Sequence, residues 1–370
     1  MRARNVQSGN GSDLANRVQF SPEHATGHYE SVFLRANDPL MRRALWVRHT
    51  IFNPAPGSAI SKAGSTGTLA ELWAIYFDAD NGHIAVKNEF PFSTTLFARD
   101  EFHIRIPVRA VAQAEIKPGL ARGSATTGSN QLNWDLKFSA HGDGVRELSR
   151  PLYLLPENLY AGSFPAAKSL VSQPLTSFNG TLRVNGRRIP VRDWHGSINH
   201  NWGQRHTDRY AWGQVAGFDG APETFLELAT AQIKLGPVWT PPITILVLRR
   251  PDGNDIRLNG IARGLLAGGK FSYRQDPFTW EFRSANRDVS VRGRIRAPRS
   301  DFVCLRYFNP PGGGKFCLNS KLAECELEVR ARSRRARRGG LMPRTELYSR
   351  HGAAFEILTD NEDHGLPVRV

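Results

Sequence analysis

The sequence predicts an all-β protein whose antiparallel sheets form barrels or sandwiches, and three observations carry that prediction. From Val18 onward, short segments of alternating apolar and polar residues, rich in β-branched and aromatic types, are separated by Gly, Pro, Asn and Asp. Two hairpin turns are explicit: Asn185-Gly186 between LRV and RRIPV, and Pro251-Asp252-Gly253 between ILVLRR and DIRL. Convincing helices are scarce. Antiparallel sheets without covering helices bury themselves by closing or by pairing faces.

Taken in order, the strand candidates of the first half are residues 29–35, 44–52, 102–108, 132–138 and 181–191. Those of the second half are 210–218, 243–258, 278–284, 289–296 and 325–332. Residues 67–82 (GTLAELWAIYFDADNG) have some helical propensity, but their β-rich setting and closing Asp80-Asn81-Gly82 turn favour a strand. Residues 155–172 hold a single helical turn at most, because two prolines interrupt them.

The length of 370 residues suggests two domains, each large enough for its own core. Residues 1–17 read as a disordered tail, 18–154 as the first β domain and the Pro/Ser-rich stretch 155–179 as a linker. Residues 180–360 read as the second β domain and 361–370 as a tail. An echo between Asn133-Trp134-Asp135 and Thr279-Trp280-Glu281 hints at duplication.

Charge is unevenly spread. The 49 Lys+Arg and 34 Asp+Glu give a formal net charge of +15. Residues 330–350 hold eight Arg and one Glu, a net of +7, which leaves an ordinary +8 for the rest. Six of those arginines fall in Arg330–Arg338. Such a run reads as a solvated loop or as a peripheral contact with an anionic membrane surface. No aromatic residue is interleaved with it, which argues against a stacking nucleic-acid site. No apolar run approaches the ~20 residues of a membrane span, and the N-terminus lacks an apolar signal segment, so a cytoplasmic location is the default expectation. Cys304, Cys317 and Cys325 fit neither a disulfide framework nor a zinc module, and Cys325 reads as core filling.

The chemistry concentrates in 192–218, RDWHGSINHNWGQRHTDRYAWGQVAGF. Three of the eight tryptophans lie here (Trp194, Trp202, Trp212), with His195, His200, His206, Asp193, Arg205, Asp208 and Tyr210. Polar residues packed this densely in a β-barrel form either a binding site or a hydrogen-bonded structural network. The histidine spacings of five and six match no metal motif, and no phosphate-binding or dinucleotide-binding loop exists. No cofactor is therefore called for. A second cluster, Tyr29, Glu30, Arg35, Trp46, Arg48 and His49, offers Glu30 and Arg48 either as a buried ion pair or as polar ligand contacts.

HNWG (200–203) followed by YAWGQV (210–215), and preceded by a G-x-L-x-V-N-G hairpin and a W-x-G, resembles the two-domain lipocalin-like superfamily. That superfamily includes carotenoid hydratases of the hydroxyneurosporene synthase type, tocopherol cyclase and lipocalin-like Diels–Alderases. The resemblance implies two antiparallel lipocalin-like barrel or sandwich domains and an apolar cavity between them. It further implies a hydrophobic ligand, isoprenoid or polyketide-like, that undergoes cofactor-free hydration or cyclisation. Relatives commonly carry an acid before the motif's His, where this chain has Asn199. That departure favours a non-catalytic lipid carrier as the alternative.

Protonating an alkene needs an acid kept neutral by an apolar pocket, and the carbocation that follows needs aromatic faces. The catalytic candidates are His200, Asn199, Trp202, Glu227 and Asp193. The ligand-contact candidates are Trp194, Tyr210, Trp212, Gln214, Arg205, Trp73, Glu30 and Arg48.

Overall fold

A computed structural model describes residues 15–22, 27–58, 67–109, 112–140, 148–331 and 344–370. The chain is all-β. The first part supplies β1 (His28–Asn37), β2 (Arg43–Asn53), β3 (Leu69–Asp78), β4 (Ile84–Pro91), β5 (Leu96–Phe97) and β6 (Ile104–Arg109). These are followed by β7 (Ala112–Lys117), β8 (Leu120–Thr127), β9 (Asn130–Ala140), β10 (Leu152–Tyr153), β11 (Ala167–Val184) and β12 (Arg187–Gly203). They form one antiparallel sheet in the order β4-β3-β2-β1-β12-β11-β9-β8-β7-β6-β5, with β10 beside β11. The sheet curls until β4 meets β8, where Asn88 Nδ2 donates to Thr126 O (2.7 Å) and Thr126 N donates to Asn88 Oδ1 (3.0 Å).

The second part supplies β13 (Arg209–Phe218), β14 (Ala221–Gln232), β15 (Lys234–Leu235), β16 (Val238–Trp239), β17 (Ile243–Arg249) and β18 (Asp255–Leu258). A short helix α1 (Ile261–Leu266) precedes β19 (Gly268–Ser272), β20 (Phe278–Ala285), β21 (Val289–Ala297), β22 (Val303–Phe308), β23 (Gly314–Ala331) and β24 (Arg344–Thr359). The second large sheet runs β18-β17-β14-β13-β24-β23-β21-β20-β19, with β22 beside β23, and β15 and β16 form a separate ribbon. In both sheets the first strand of the unit pairs with its last, so the order of strands is repeated. The tryptophan echo does not mark this repeat: Trp134 sits on β9, whose counterpart is β21, whereas Trp280 sits on β20.

The segment expected as a linker lies largely within β11, a strand of the first sheet. Pro174 falls in a break of the ladder with β12, between Gln173 and Thr176, and a second break lies between Phe178 and Gly180. Bulges of this kind take Pro out of the hydrogen-bonding register, so a Pro-containing stretch can still be a long strand. The chain passes between the large sheets later, between Gly203 and Arg209. The Asn185-Gly186 hairpin joins β11 and β12, with both residues at positive φ (48° and 83°) as the turn type demands. The C-terminal residues are not a free tail: Arg369 N donates to Cys304 O and Arg306 N to Val370 O, both at 2.9 Å.

Period-two alternation gives each central strand two buried faces. Val32 and Leu34 of β1 and Trp194 and Ile198 of β12 enter the first core, with Trp134 and Phe138. Trp280, Phe278, Phe355 and Cys325 anchor the second. The opposite faces meet each other, burying Phe33, Trp46, Trp73, Trp212, Leu305 and Cys317 between the sheets. Each such side chain removed from water stabilises the fold by ~1.5–3 kcal/mol. All three cysteines are free and buried. Among the described residues, no helix is long and apolar enough to cross a membrane.

Arg330 closes β23 paired to Glu328 at 2.7 Å, while residues 332–338 of the arginine run lie outside the described residues. Residues 1–14 of the expected N-terminal tail lie outside them as well, whereas Ala15–Arg17 are placed against the first sheet.

Candidate functional site between the two sheets

A cavity of about 210 Å³ opens where β1 and β2 face β13, β14 and β17. One wall is apolar: Leu154, Phe164, Pro165, Ala229, Ile243 and Ile245. The other combines aromatic rings with charge: Tyr29, Phe33, Trp46, Arg48, Tyr210, Trp212, Tyr307 and Glu356. Strand parity decides which side chains of the first sheet reach the cavity. Odd-numbered residues of β1 and β12 turn toward the second sheet, while even-numbered ones enter the first core.

Of the expected ligand contacts, Tyr210, Trp212 and Arg48 line this cavity. Glu227 adjoins it. It shares a face of β14 with Ala229 and Ala231, which are lining residues, and its Oε1 accepts the Trp212 indole N–H at 3.1 Å. The carboxyl is fully buried and its Oε2 has no hydrogen-bond partner. Burial raises its pKa to about 8, against the opposing pull of the Trp212 hydrogen bond. It is therefore a neutral carboxylic acid at pH 7.

Asn199 and Gln214 join a polar lock between the sheets. Gln214 Nε2 donates to Asn199 Oδ1 (2.7 Å), and Gln214 Oε1 accepts from Arg35 Nε (2.7 Å) and Ser197 Oγ (2.6 Å). Arg35 also donates to Asn37 Oδ1 and to the Gly352 carbonyl, which ties the first sheet to β24. With Asn199 fully engaged in this lock, its side chain is a hydrogen-bonding partner and not an acid.

His200 and Glu30 are brought together, but on the other face of their strands. His200 Nε2 lies 2.8 Å from Glu30 Oε1, and Nδ1 lies 2.8 Å from Ala15 O. Both ring nitrogens thus face oxygen acceptors, and both can donate only when the ring carries two protons. Glu30 also accepts the backbone N–H groups of Gln19 and Phe20, each at 2.7 Å, and faces His28 Nε2 at 3.1 Å. The pair therefore clamps the N-terminal segment Ala15–Phe20 over the first core. The expected Glu30–Arg48 ion pair does not form. The two residues sit on opposite faces of adjacent strands, and Arg48 Nε donates to Ser31 Oγ at 2.8 Å instead.

Burial alone would raise the Glu30 pKa, but hydrogen bonds from His200 and His28 hold it near 2. A depressed carboxylate adds stability above its unfolded pKa, and that stability is lost as pH falls from 4.5 toward 2. Glu30→Gln is expected to destabilise the protein by about 2–3 kcal/mol at pH 7. In chemical denaturation the gap from wild type should shrink as pH falls from 4.5 and close near pH 2; a gap undiminished at pH 2 would contradict the assignment.

The remaining candidates lie outside the cavity. Trp194 is core, Trp202 lies tilted against His200 with ring centroids 4.7 Å apart, and Trp73 backs Tyr307 edge-on at 5.7 Å. Asp193 is exposed at a positive φ of 48° and accepts from Asn179 Nδ2 (3.0 Å). Arg205 is exposed and pairs with Asp208 at 2.9 Å. The glycine of HNWG has a backbone role, since a Cβ on Gly203 would lie 2.2 Å from the Ala166 carbonyl oxygen.

Sequence reasoning missed Glu356, Lys321 and Tyr307. Glu356 Oε1 accepts from Lys321 Nζ (2.7 Å) and Asn319 Nδ2 (3.2 Å). The Lys321 ammonium lies 5.6 Å from the Trp212 ring and 5.8 Å from the Trp46 ring. Burial lowers the Lys321 pKa, with Glu356 opposing the change. Among the described residues, no cluster of His, Cys, Asp and Glu has the arrangement of a metal site.

This architecture is similar to that of kievitone hydratase from Nectria haematococca, over 91% of this chain and 90% of that one, with a TM-score of 0.50 and 10% identity. The two chains share a two-sheet, all-β fold. At this identity the likeness is one of fold. CghA, in its complex with Sch210972, aligns over 90% of this chain and 88% of its own, with a TM-score of 0.46 and 10% identity. In sequence, the chain is 24% identical over 310 residues to an uncharacterized protein of Mycobacterium tuberculosis strain H37Rv, covering 83% of each. No family model matches it.

Proposed function

We propose that the chain takes a hydrophobic alkene into the cavity between its sheets and adds a proton to it, the first step of a cofactor-free hydration or cyclisation. The observation that carries this reading is Glu227, a buried carboxyl held neutral beside an apolar cavity with one oxygen left without a partner. The Glu227 carboxyl gives its proton to an alkene carbon, leaving a carboxylate and a carbocation. Trp212 and Trp46 offer π faces to that cation. Water, or an oxygen of the substrate, then bonds to the cationic carbon and loses a proton, which returns to Glu227. Asn199 does not supply the acid in this scheme. The role moves to β14, on the cavity side of the polar lock.

The test is incubation of the protein in D2O with a panel of isoprenoid and polyketide alkenes, followed by mass spectrometry. Expected products carry deuterium on carbon, either as a net gain of D2O or in a ring closed without other mass change. A hydrophobic compound that co-purifies with the protein and is released unchanged, with no deuterium entering any alkene, would leave a carrier in place of an enzyme.

A further inference from the structure

The cavity contains a cation that, among the described residues, no carboxylate pairs with directly. Arg48 is 5% exposed and lines the cavity, with its guanidinium 4.7 Å from the centre of the Tyr307 ring. Its Nε is taken by Ser31 Oγ, and among the described residues it makes no ion pair. The carboxylates that act on it from a distance are Glu71 and Glu356. Each is already matched by a lysine: Lys87 Nζ lies 2.8 Å from Glu71 and Lys321 Nζ lies 2.7 Å from Glu356. A second basic group, Lys168, also lines the cavity. Among the described residues, it is bound to the carbonyl oxygens of Gly162 (2.6 Å) and Pro165 (3.1 Å) and to no carboxylate. Among the described residues, the lining thus carries two cations with no carboxylate in direct contact, and Arg48 is supported only at a distance and by the neighbouring tyrosines.

We infer that the ligand carries one acidic oxygen function, a carboxylate or an equally acidic enol, which the guanidinium of Arg48 binds. This deepens the function proposed above and rests on it for the cavity being the ligand site. The planar fork of arginine suits two parallel hydrogen bonds to such a group. The apolar remainder of the ligand lies along Phe164, Ile243 and Ile245. Tyr210, which faces Arg48, and Trp212, which holds Glu227, are two residues apart on β13, or about 7 Å along an extended strand. The acidic head and the reacting alkene of the ligand are therefore separated by a comparable distance. Glu356 also faces the cavity, but with Lys321 on its Oε1 it adds no net charge to repel an anion.

The experiment compares geranic acid with geraniol, two probes of one carbon skeleton, by titration calorimetry at pH 7.5. Wild-type protein is expected to bind the acid at least tenfold more tightly than the alcohol. Arg48→Met should bring the acid down to the affinity of the alcohol, and Arg48→Lys should retain part of the preference because it keeps the charge and loses the fork. The wild-type comparison needs no variant to fold, and thermal melts check the two variants. Equal affinities in wild type, a preference that survives Arg48→Met, or failure of both probes to bind would each overturn the inference. Equal affinities together with deuterium transfer in D2O would remove the head-group assignment and leave catalysis standing. A preference for the acid without deuterium transfer would do the reverse.

Discussion

Glu227→Gln is expected to lower turnover by about 10²–10⁴-fold, the range that a positioned general acid contributes. The substitution is isosteric, and the Gln carbonyl can still accept the Trp212 indole N–H, so packing around the cavity is preserved. Only the transferable proton is lost. The wild-type rate should fall as pH rises through about 8, because the protonated carboxyl is the working form. Stability supplies an independent readout. The native state holds this proton up to about 8, whereas the unfolded chain releases it near 4.5, so between those values the native state binds more protons and stability falls as pH rises. The slope is on the order of 1.4 kcal/mol per pH unit for one proton. Gln in place of Glu removes that dependence, so the variant should melt above wild type at pH 9 and near it at pH 4.5. Unchanged turnover, or a pH–rate profile flat from 7 to 9.5, would take Glu227 out of the mechanism.

Lys321→Met is expected to destabilise the protein by about 3–5 kcal/mol, the usual consequence of leaving a buried charge without its partner. Lys321 is fully buried, and its ammonium donates to Glu356 Oε1 (2.7 Å) and Asn319 Oδ1 (2.5 Å). Met fills much the same volume, so the loss is electrostatic and not a cavity effect. The double variant Lys321→Met with Glu356→Leu should recover most of the deficit, since a buried pair replaced by apolar groups is often neutral. Urea denaturation of the two single variants and the double gives the coupling directly. A single variant as stable as wild type, or a double variant worse than either single, would contradict this account.

The strands were legible because they alternate, and the Asn185-Gly186 turn because few other pairs accept two positive φ values in succession. The join between the sheets was not. Pro174 and Leu175 sit in a bulge of β11, and composition alone cannot distinguish a bulged strand from a linker. Of the site, Glu227 was legible as an acid inside an apolar strand, FLEL. Glu356 in FEIL carries the same signal and was open to the same reasoning. What sequence could not supply was which face of a strand meets which sheet. His200 and Asn199 are neighbours in the motif, yet one clamps the N-terminal segment and the other locks the sheets together. That distinction depends on pairing between β1 and β12, residues some 170 apart in the chain.

The repeated strand order means that matching strands of the two units flank the cavity. β2 and β14 are the same strand of the repeat, each lying next to the strand that pairs with the last of its unit. Arg48 stands on one and Glu227 on the other, both turned toward the shared space. Two units of the same strand order therefore place different groups on the same strand, a guanidinium in one and a buried carboxyl in the other. Neither sheet by itself brings Arg48 and Glu227 near one another; only their apposition does.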